Sequence, residues 1–295
     1  MKRVSLSCAL IAGVLISSSS CTKVNELNPE AELQASRQKP QGVVCQSENY
    51  SLSAIADPAS STQAFSKTFD PITGQVKTIS AGIYSIMISE HLDMNVHWQK
   101  NRVAFTSSSS PSDTILIANF DKKGNLVSIV DGNSPNENFL PTTFQYNGTR
   151  LSTMRVQFQG TELVSKFTYD RSGNVTRIQE LPSNGTTPGY IEYKYNTGAT
   201  AGNQIYLDEP RGFNRNTFTL AQYMGWLPSL SPVNVRTQSK VVWEDDYEVH
   251  NVYYKNHQTD GSGNLIKYEV ASDANSDAYE QHVIGWKCPT TLVVQ

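Results

Sequence analysis

The stretch Phe167–Ile178, "FTYDRSGNVTRI", decides the fold. Asp170, Gly173 and Asn174 crowd together as in a loop that grips a metal or a phosphate, with an aromatic residue, Tyr169, in front. The same residues also make a turn. An Asp side chain accepts hydrogen bonds from backbone N–H groups two or three positions on, and Gly supplies a left-handed backbone at no steric cost. A β-hairpin built on a type I turn with Gly at the positive-φ position has this composition.

Repetition favours the turn. An aromatic followed by Asp or Asn recurs at Phe69-Asp70, Phe120-Asp121, Tyr146-Asn147, Tyr169-Asp170 and Tyr195-Asn196, with Gly74, Gly124, Gly148, Gly173 and Gly198 close behind. "TDGSGNLIKY" repeats the pattern at Asp260, Gly263, Leu265 and Tyr268 without the leading aromatic. Internal repeats of this kind fix the fold class before any local reading. The arms alternate as strands do: in "IEYKY", Ile191, Tyr193 and Tyr195 share one face and Glu192 and Lys194 the other. The apolar pairs after each Gly (Val76/Ile79, Leu126/Ile129, Leu151/Met154, Val175/Ile178) are spaced by three, which breaks alternation. Either the first of each pair belongs to the turn and packs across it, or a bulge follows.

The unit, an aromatic, Asp or Asn, and then Gly, resembles the tyrosine–aspartate repeat of bacterial cell-surface proteins, over the region from about Phe69 to Tyr268. The start of the chain adds to the likeness. "MKR" is a short positive region, "VSLSCALIAGVLIS" is an apolar run too short to span a bilayer, and "SSSSC" is a small-residue stretch ending in Cys21. A Cys there resembles the lipobox of bacterial lipoproteins, with Ser18 where the usual motif has Leu. Repeat and leader together resemble Bacteroidota lipoproteins of unknown function. The resemblance implies an outer-membrane lipid anchor on Cys21, facing the periplasm or the outside, and brings no catalytic residues. Several acyl chains, at about 0.8 kcal/mol per buried methylene, hold a protein to a membrane almost permanently.

The expected organisation is a lipoprotein signal peptide over 1–20, a polar tether over 21–42 and one β-hairpin-repeat domain over 43–295. Five or more hairpins make a sheet that twists and curls, so the fold expected is mainly β, an antiparallel meander forming a half-barrel or open barrel. Within Arg211–Gln238 the repeat lapses. Asn216 is a candidate N-cap, Phe218, Ala221, Tyr223 and Met224 approximate a helical stripe, and Gly225 and Pro228 would end it. This short helix is expected to pack on the concave face, as structural cover or as the wall of a cavity. With Cys8 lost and Cys21 modified, Cys45 and Cys288 remain, an even pair that suggests a disulfide in an oxidising compartment.

The chemistry-bearing residues are sparse. The net charge is -3 and no basic cluster follows the leader, which removes nucleic-acid binding. "DANSDAYE" places Asp273, Asn275 and Asp277 as at the start of an EF-hand, but Ala278 stands where Gly is needed and Ile284 where Glu is needed. His91, His97, His250, His257 and His282 show no zinc spacing, and no GxSxG elbow occurs. No cofactor is expected. Glu244, Asp245 and Asp246, or Asp208 with Glu209, could serve as paired carboxylates of a hydrolase. Tyr146, Tyr169, Tyr193 and Tyr195 occupy matched places, either as a ligand-facing stripe or as core. Asp113-Thr114-Ile115 resembles the Bacteroidota O-glycosylation signal, making Thr114 a candidate acceptor. The leading function is a non-enzymatic envelope lipoprotein that binds or scaffolds a glycan or an envelope protein. A carrier of a lipid or other apolar ligand in the curled sheet comes second, and a hydrolase third.

Overall fold

A computed structural model describes residues 45–84, 89–158, 160–181, 189–200, 202–206, 215–243 and 249–288. Cys21, Asp208, Glu209 and Glu244–Asp246 lie outside the described residues, as do the leader and tether. The strands, in chain order, are β1 Gln46–Ala54, β2 Asp57–Phe69, β3 Val76–Tyr84, β4 Ser89–Gln99, β5 Arg102–Ser107, β6 Thr114–Phe120, β7 Leu126–Asp131 and β8 Thr142–Asn147. They continue as β9 Arg150–Phe158, β10 Thr161–Tyr169, β11 Val175–Glu180, β12 Gly189–Thr200, β13 Asn234–Trp243, β14 Val249–Thr259, β15 Leu265–Ala271 and β16 Glu280–Lys287. Each pairs antiparallel with its sequence neighbours, the meander expected from the repeat. The curl goes further than a half-barrel or open barrel. β1 pairs with β16 from Gln46↔Lys287 to Ala54↔Glu280, so the sheet closes and has no edge. The Cys45–Cys288 disulfide lies at the start of that seam.

Three of the Asp–Gly hairpins repeat one set of contacts, whereas in the fourth Gln75 replaces the Asn and Asp70 Oδ1 accepts the N–H groups of Ile72 and Thr73. Asp121 Oδ1 accepts the N–H groups of Lys123 and Asn125, and Asp121 Oδ2 accepts the Asn125 side-chain amide at 2.9 Å. Asp170 with Asn174, and Asp260 with Asn264, make the same pair of bonds from the carboxylate to the Asn backbone and side chain. Gly124, Gly173 and Gly263 take φ of 81°, 91° and 79°. The Asn that follows Gly is therefore part of the turn, a partnership the Asp–Gly spacing alone does not reveal. Tyr195-Asn196-Gly198 departs from the pattern: Asn196 Oδ1 accepts Gly198 N–H, but the register of β12 against β13 only slips, from Asn196↔Val235 to Thr200↔Asn234, and no hairpin forms.

The apolar spacing of three is a bulge. In β10–β11, Thr168 faces Arg177 but Tyr169 faces Val175, leaving Thr176 as the extra residue. The same slip occurs at Phe69/Val76, Phe120/Leu126, Tyr146/Leu151 and Thr259/Leu265. One extra residue restores the parity of the strand, so both apolar members of each pair point into the barrel. Val76 and Ile79, Leu126 and Ile129, Leu151 and Met154, and Val175 and Ile178 are all buried.

A closed sheet of 16 strands encloses more space than its own side chains can fill. Described parts of the chain between β12 and β13, within 202–206 and 215–233, occupy it. Helix α1, Arg215–Tyr223, followed by a 3-10 turn at Pro228–Leu230, contributes Phe218, Leu220, Ala221, Tyr223, Met224 and Leu227 to the core shared with the strands. The expected stop holds: Gly225 has φ 73°, and the bonds Gly225 N–H to Gln222 O and Trp226 N–H to Ala221 O close the helix as a Schellman motif. The expected N-cap does not, since Asn216 lies within α1 and its amide donates to Asn138 O.

Alternation sends the polar positions outward. Register aligns Arg177, Glu192, Lys240 and Asn251 across β11 to β14 as a girdle on the outer wall. Connections in a meander alternate ends, so the Asp–Gly turns gather on one rim together with Cys45 and Cys288; this is the turn rim, and the opposite end is the far rim.

Asn174 separates two roles of these turns. Beyond its own turn, its side-chain oxygen accepts Val233 and Asn234 N–H and its amide donates to Asn234 Oδ1 at 2.9 Å, whereas the Asn125 bonds stay within its hairpin. Asn174→Ala leaves buried donors unmet and should destabilise by about 2–4 kcal/mol, against about 1 kcal/mol for Asn125→Ala. Urea denaturation of the two variants checks the difference.

Candidate functional site

The lumen is apolar around most of the barrel, with a polar and aromatic seam along β13 to β16, β1 and β2. On β1, Tyr50 shares a short hydrogen bond with Tyr268 of β15 and lies 2.6 Å from Nδ1 of His282 on β16. The other ring nitrogen, His282 Nε2, lies 2.6 Å from Glu280 Oε1 at the far rim. Tyr268 stacks on the imidazole with ring centroids 4.5 Å apart. The two hydroxyls and His282 Nδ1 are hydrogen-bonded to one another, with the Glu280 carboxylate beside the other ring nitrogen. Burial, reinforced by Tyr268, pushes the Tyr50 hydroxyl well above its usual pKa. It stays a phenol and serves as a donor, not as a base.

A second part of the seam surrounds Arg236. Its guanidinium carbon lies 4.1 Å from the Tyr193 ring centre and 4.4 Å from that of Tyr206. Arg236 N–H donates to the Tyr206 hydroxyl, and that hydroxyl donates to Gln204 Oε1 at 3.0 Å. Gln204 in turn donates to Pro232 O. Cation–π contacts of a buried guanidinium contribute on the order of 2 kcal/mol or more. Here they fix the inserted chain to the wall.

Lys67 is the third component. It stands in "FSKTF" with the parity of Phe65 and Phe69, so it points inward, and it is buried. Its ammonium group donates to Tyr223 O at 2.7 Å and to Ser47 Oγ at 3.1 Å. Tyr223 ends α1, where carbonyls lack intrahelical donors and a cation is favoured. Burial lowers the Lys67 pKa to about 7, with Glu48 opposing the shift.

The four tyrosines singled out by sequence do not form a ligand-facing stripe. Tyr193 is buried in the core, and Tyr146, Tyr169 and Tyr195 pack against it. The physical reason is a recurring bond. Tyr169 OH donates to Leu151 O at 2.8 Å and Tyr195 OH to Val175 O at 2.7 Å, the carbonyl of the first apolar residue after the previous hairpin's Gly. The Trp98 and Trp286 indoles do the same to Val76 O and Leu265 O, which the aromatic–Asp pattern does not register.

The remaining candidates stay apart. Asp273 Oδ1 accepts Asn275 N–H and its N–H donates to Ser276 Oγ, so the EF-hand-like segment is a self-bonded turn. Among the described residues, no group of three or more His, Cys, Asp or Glu side chains could hold a metal. Thr114 begins β6 half-exposed, with its N–H donating to Asn133 Oδ1. Glu180, at the far rim, has its carboxyl pushed up to about 8 by burial. Tyr50, His282, Lys67 and Arg236 escape a reading that looks for motifs, although the inward parity of His282 with Ile284 and Trp286 is visible in "HVIGW".

The barrel fold is shared with porin-like proteins of Bacteroides. A porin-like protein from Bacteroides uniformis superposes with a TM-score of 0.56 at 14% identity, over 82% of this chain and 97% of that one. A porin-like protein from Bacteroides vulgatus gives a TM-score of 0.53 at 9% identity, over 83% and 99%. No protein-family model and no curated protein matches the chain.

The Lys67 pKa has a consequence for stability. Below about pH 7 the amine is protonated whether folded or unfolded, and the barrel carries the full cost of the buried charge. Between about 7 and the ordinary lysine value of ~10.4, the unfolded chain binds more protons, so stability rises with pH. Lys67→Met should flatten this rise, as chemical denaturation at pH 6.5 and 9 would register.

Proposed function

We propose that this protein is a non-enzymatic, lipid-anchored component of the bacterial envelope whose barrel works in water as a binding or scaffolding module. One observation carries the reading: the polarity of the barrel wall. A membrane-spanning barrel is apolar outside and polar within. Here the girdle of Arg177, Glu192, Lys240 and Asn251 faces out, and the lumen is packed with apolar and aromatic side chains. A Lys or Arg on the lipid face at mid-bilayer costs about 2–4 kcal/mol, so this charged row across β11 to β13 argues against insertion. The likeness to porin-like proteins supports an envelope setting, and the Cys21 leader supplies the means of attachment without spanning.

The occupied lumen weighs against the carrier reading, since α1 and the residues after it fill the space an apolar ligand would need. The inward tyrosines leave the outer wall and rims as the surfaces for a glycan or protein partner. A modification at Thr114 fits an extracytoplasmic setting and belongs to the same proposal.

Detergent-phase partitioning tests the anchor and the wall together. The mature protein should enter the Triton X-114 phase, and Cys21→Ser should abolish its acylation, seen by mass spectrometry of the Cys21 peptide. The purified protein should give no conductance steps in planar bilayers. Channel activity, or an unmodified Cys21 in the membrane fraction, would overturn the reading. Protease shaving of intact cells then distinguishes a surface-exposed barrel from a periplasmic one.

A further inference from the structure

The two rims carry opposite charge. On the turn rim, Lys100, Arg102, Lys122, Lys123, Arg171 and Lys287 are exposed. The carboxylates of Asp70, Asp121, Asp170 and Asp260 accept bonds from their own hairpins and keep their charge, but the six exposed cations outnumber them. The far rim is richer in carboxylates, with the Lys255 ammonium donating to Ser276 O beside them. Asp57, Asp131, Glu137, Asp273 and Asp277 are exposed on it, and its described turns contain no Lys or Arg. Such a barrel is a dipole along its axis, and a charged plane orients it.

Two further features mark the turn rim. Ile72, at the tip of the β2–β3 turn, is 92% exposed, the most exposed large apolar residue among those described. Backbone bonds hold this tip outward: Asp70 Oδ1 accepts the Ile72 and Thr73 N–H groups at 2.9 and 2.7 Å. The chain leading from Cys21 also joins the barrel here, at Cys45, next to β2 and the Ile72 turn. A basic ring with an apolar tip, on the end to which the anchored segment connects, has the chemistry of an anionic lipid surface. Phosphate headgroups take the Lys and Arg side chains, and the interface takes the isoleucine.

We infer that the turn rim docks on anionic phospholipid headgroups, with Ile72 entering the interface and the acidic far rim turned away as the partner-facing end. This deepens the anchored reading and rests on it for the supply of a nearby membrane. Docking of this kind adds to the acyl anchor and sets the orientation of the barrel. Each basic side chain near an anionic surface contributes to attraction that is screened beyond about 8 Å at physiological salt, so the contact is salt-sensitive.

The test uses the mature lipidated protein in phosphatidylcholine vesicles with or without 30 mol% phosphatidylglycerol. An environment-sensitive probe is placed at Ile72→Cys or at Ala274→Cys, the latter on the exposed far-rim turn. With phosphatidylglycerol present, brominated lipid should quench the probe at 72 at least about fivefold more than the probe at 274. The triple variant Lys122→Glu, Lys123→Glu, Arg171→Glu, or 0.5 M NaCl, should remove the difference. Equal quenching at the two sites, or quenching at 72 that ignores phosphatidylglycerol and the charge reversal, would overturn the proposal. Co-sedimentation with pure phosphatidylcholine vesicles reads the anchor separately. Protein that fails to co-sediment there but is quenched at 72 on anionic vesicles would refute the anchor and keep the rim.

Discussion

One extra residue after each Asp–Gly turn determines which way this barrel faces. Without the bulge, strict alternation would turn one member of each apolar pair outward: Val76 against Ile79, or Val175 against Ile178. With it, both enter the lumen, and the aromatic before the Asp falls opposite the first of them. The Asp carboxylate and the following Asn hold the turn, Gly supplies the left-handed step, and Tyr or Trp locks the bulged carbonyl from the next hairpin. Repeated around the sheet, this device makes an inner surface that must be buried and an outer surface that stays wet.

The rest follows from filling that interior. A sheet of 16 strands closed by β1–β16 cannot be packed by its own side chains, so α1 and the other described core residues between β12 and β13 lie inside. Its termini and polar groups then need partners in a dry environment. Lys67 meets the end of α1, Arg236 sits among tyrosine rings and Gln204 bonds Pro232 O. These polar residues are the consequence of inserting backbone into an apolar lumen, and they resemble a reactive site only in their burial. The Tyr268–Tyr50–His282 cluster, with Glu280 beside it, belongs to the same class: its hydroxyls and His282 Nδ1 are hydrogen-bonded to one another, and burial keeps Tyr50 protonated.

The hairpins and the strand faces were legible in the sequence because Asp, Asn and Gly act locally, within a few residues of one another. The bulge was legible only as a broken period, since its partner lies on another strand. Closure was not legible, because the strands that close the ring, β1 and β16, stand outside the repeat and recognise each other across almost the whole chain. The Tyr195-Asn196-Gly198 unit misled for a related reason. Its residues make a local Asn–Gly bond as a turn would, but within a bulge of β12, which resumes pairing with β13 at Thr200. Lys67 and Arg236 carried no motif, and only the parity of Lys67 with two phenylalanines hinted at its inward course.

Hydroxyl-radical footprinting of the purified protein in detergent-free buffer tests the inside-out assignment most directly. Tyr253 and Tyr190 on the outer wall and Tyr279 at the far rim should be oxidised, while Tyr50, Tyr193, Tyr223 and Tyr268 are protected until the protein unfolds. Oxidation of the lumen tyrosines in the folded protein, with the wall positions protected, would mean a water-filled channel in an apolar coat and would contradict this account.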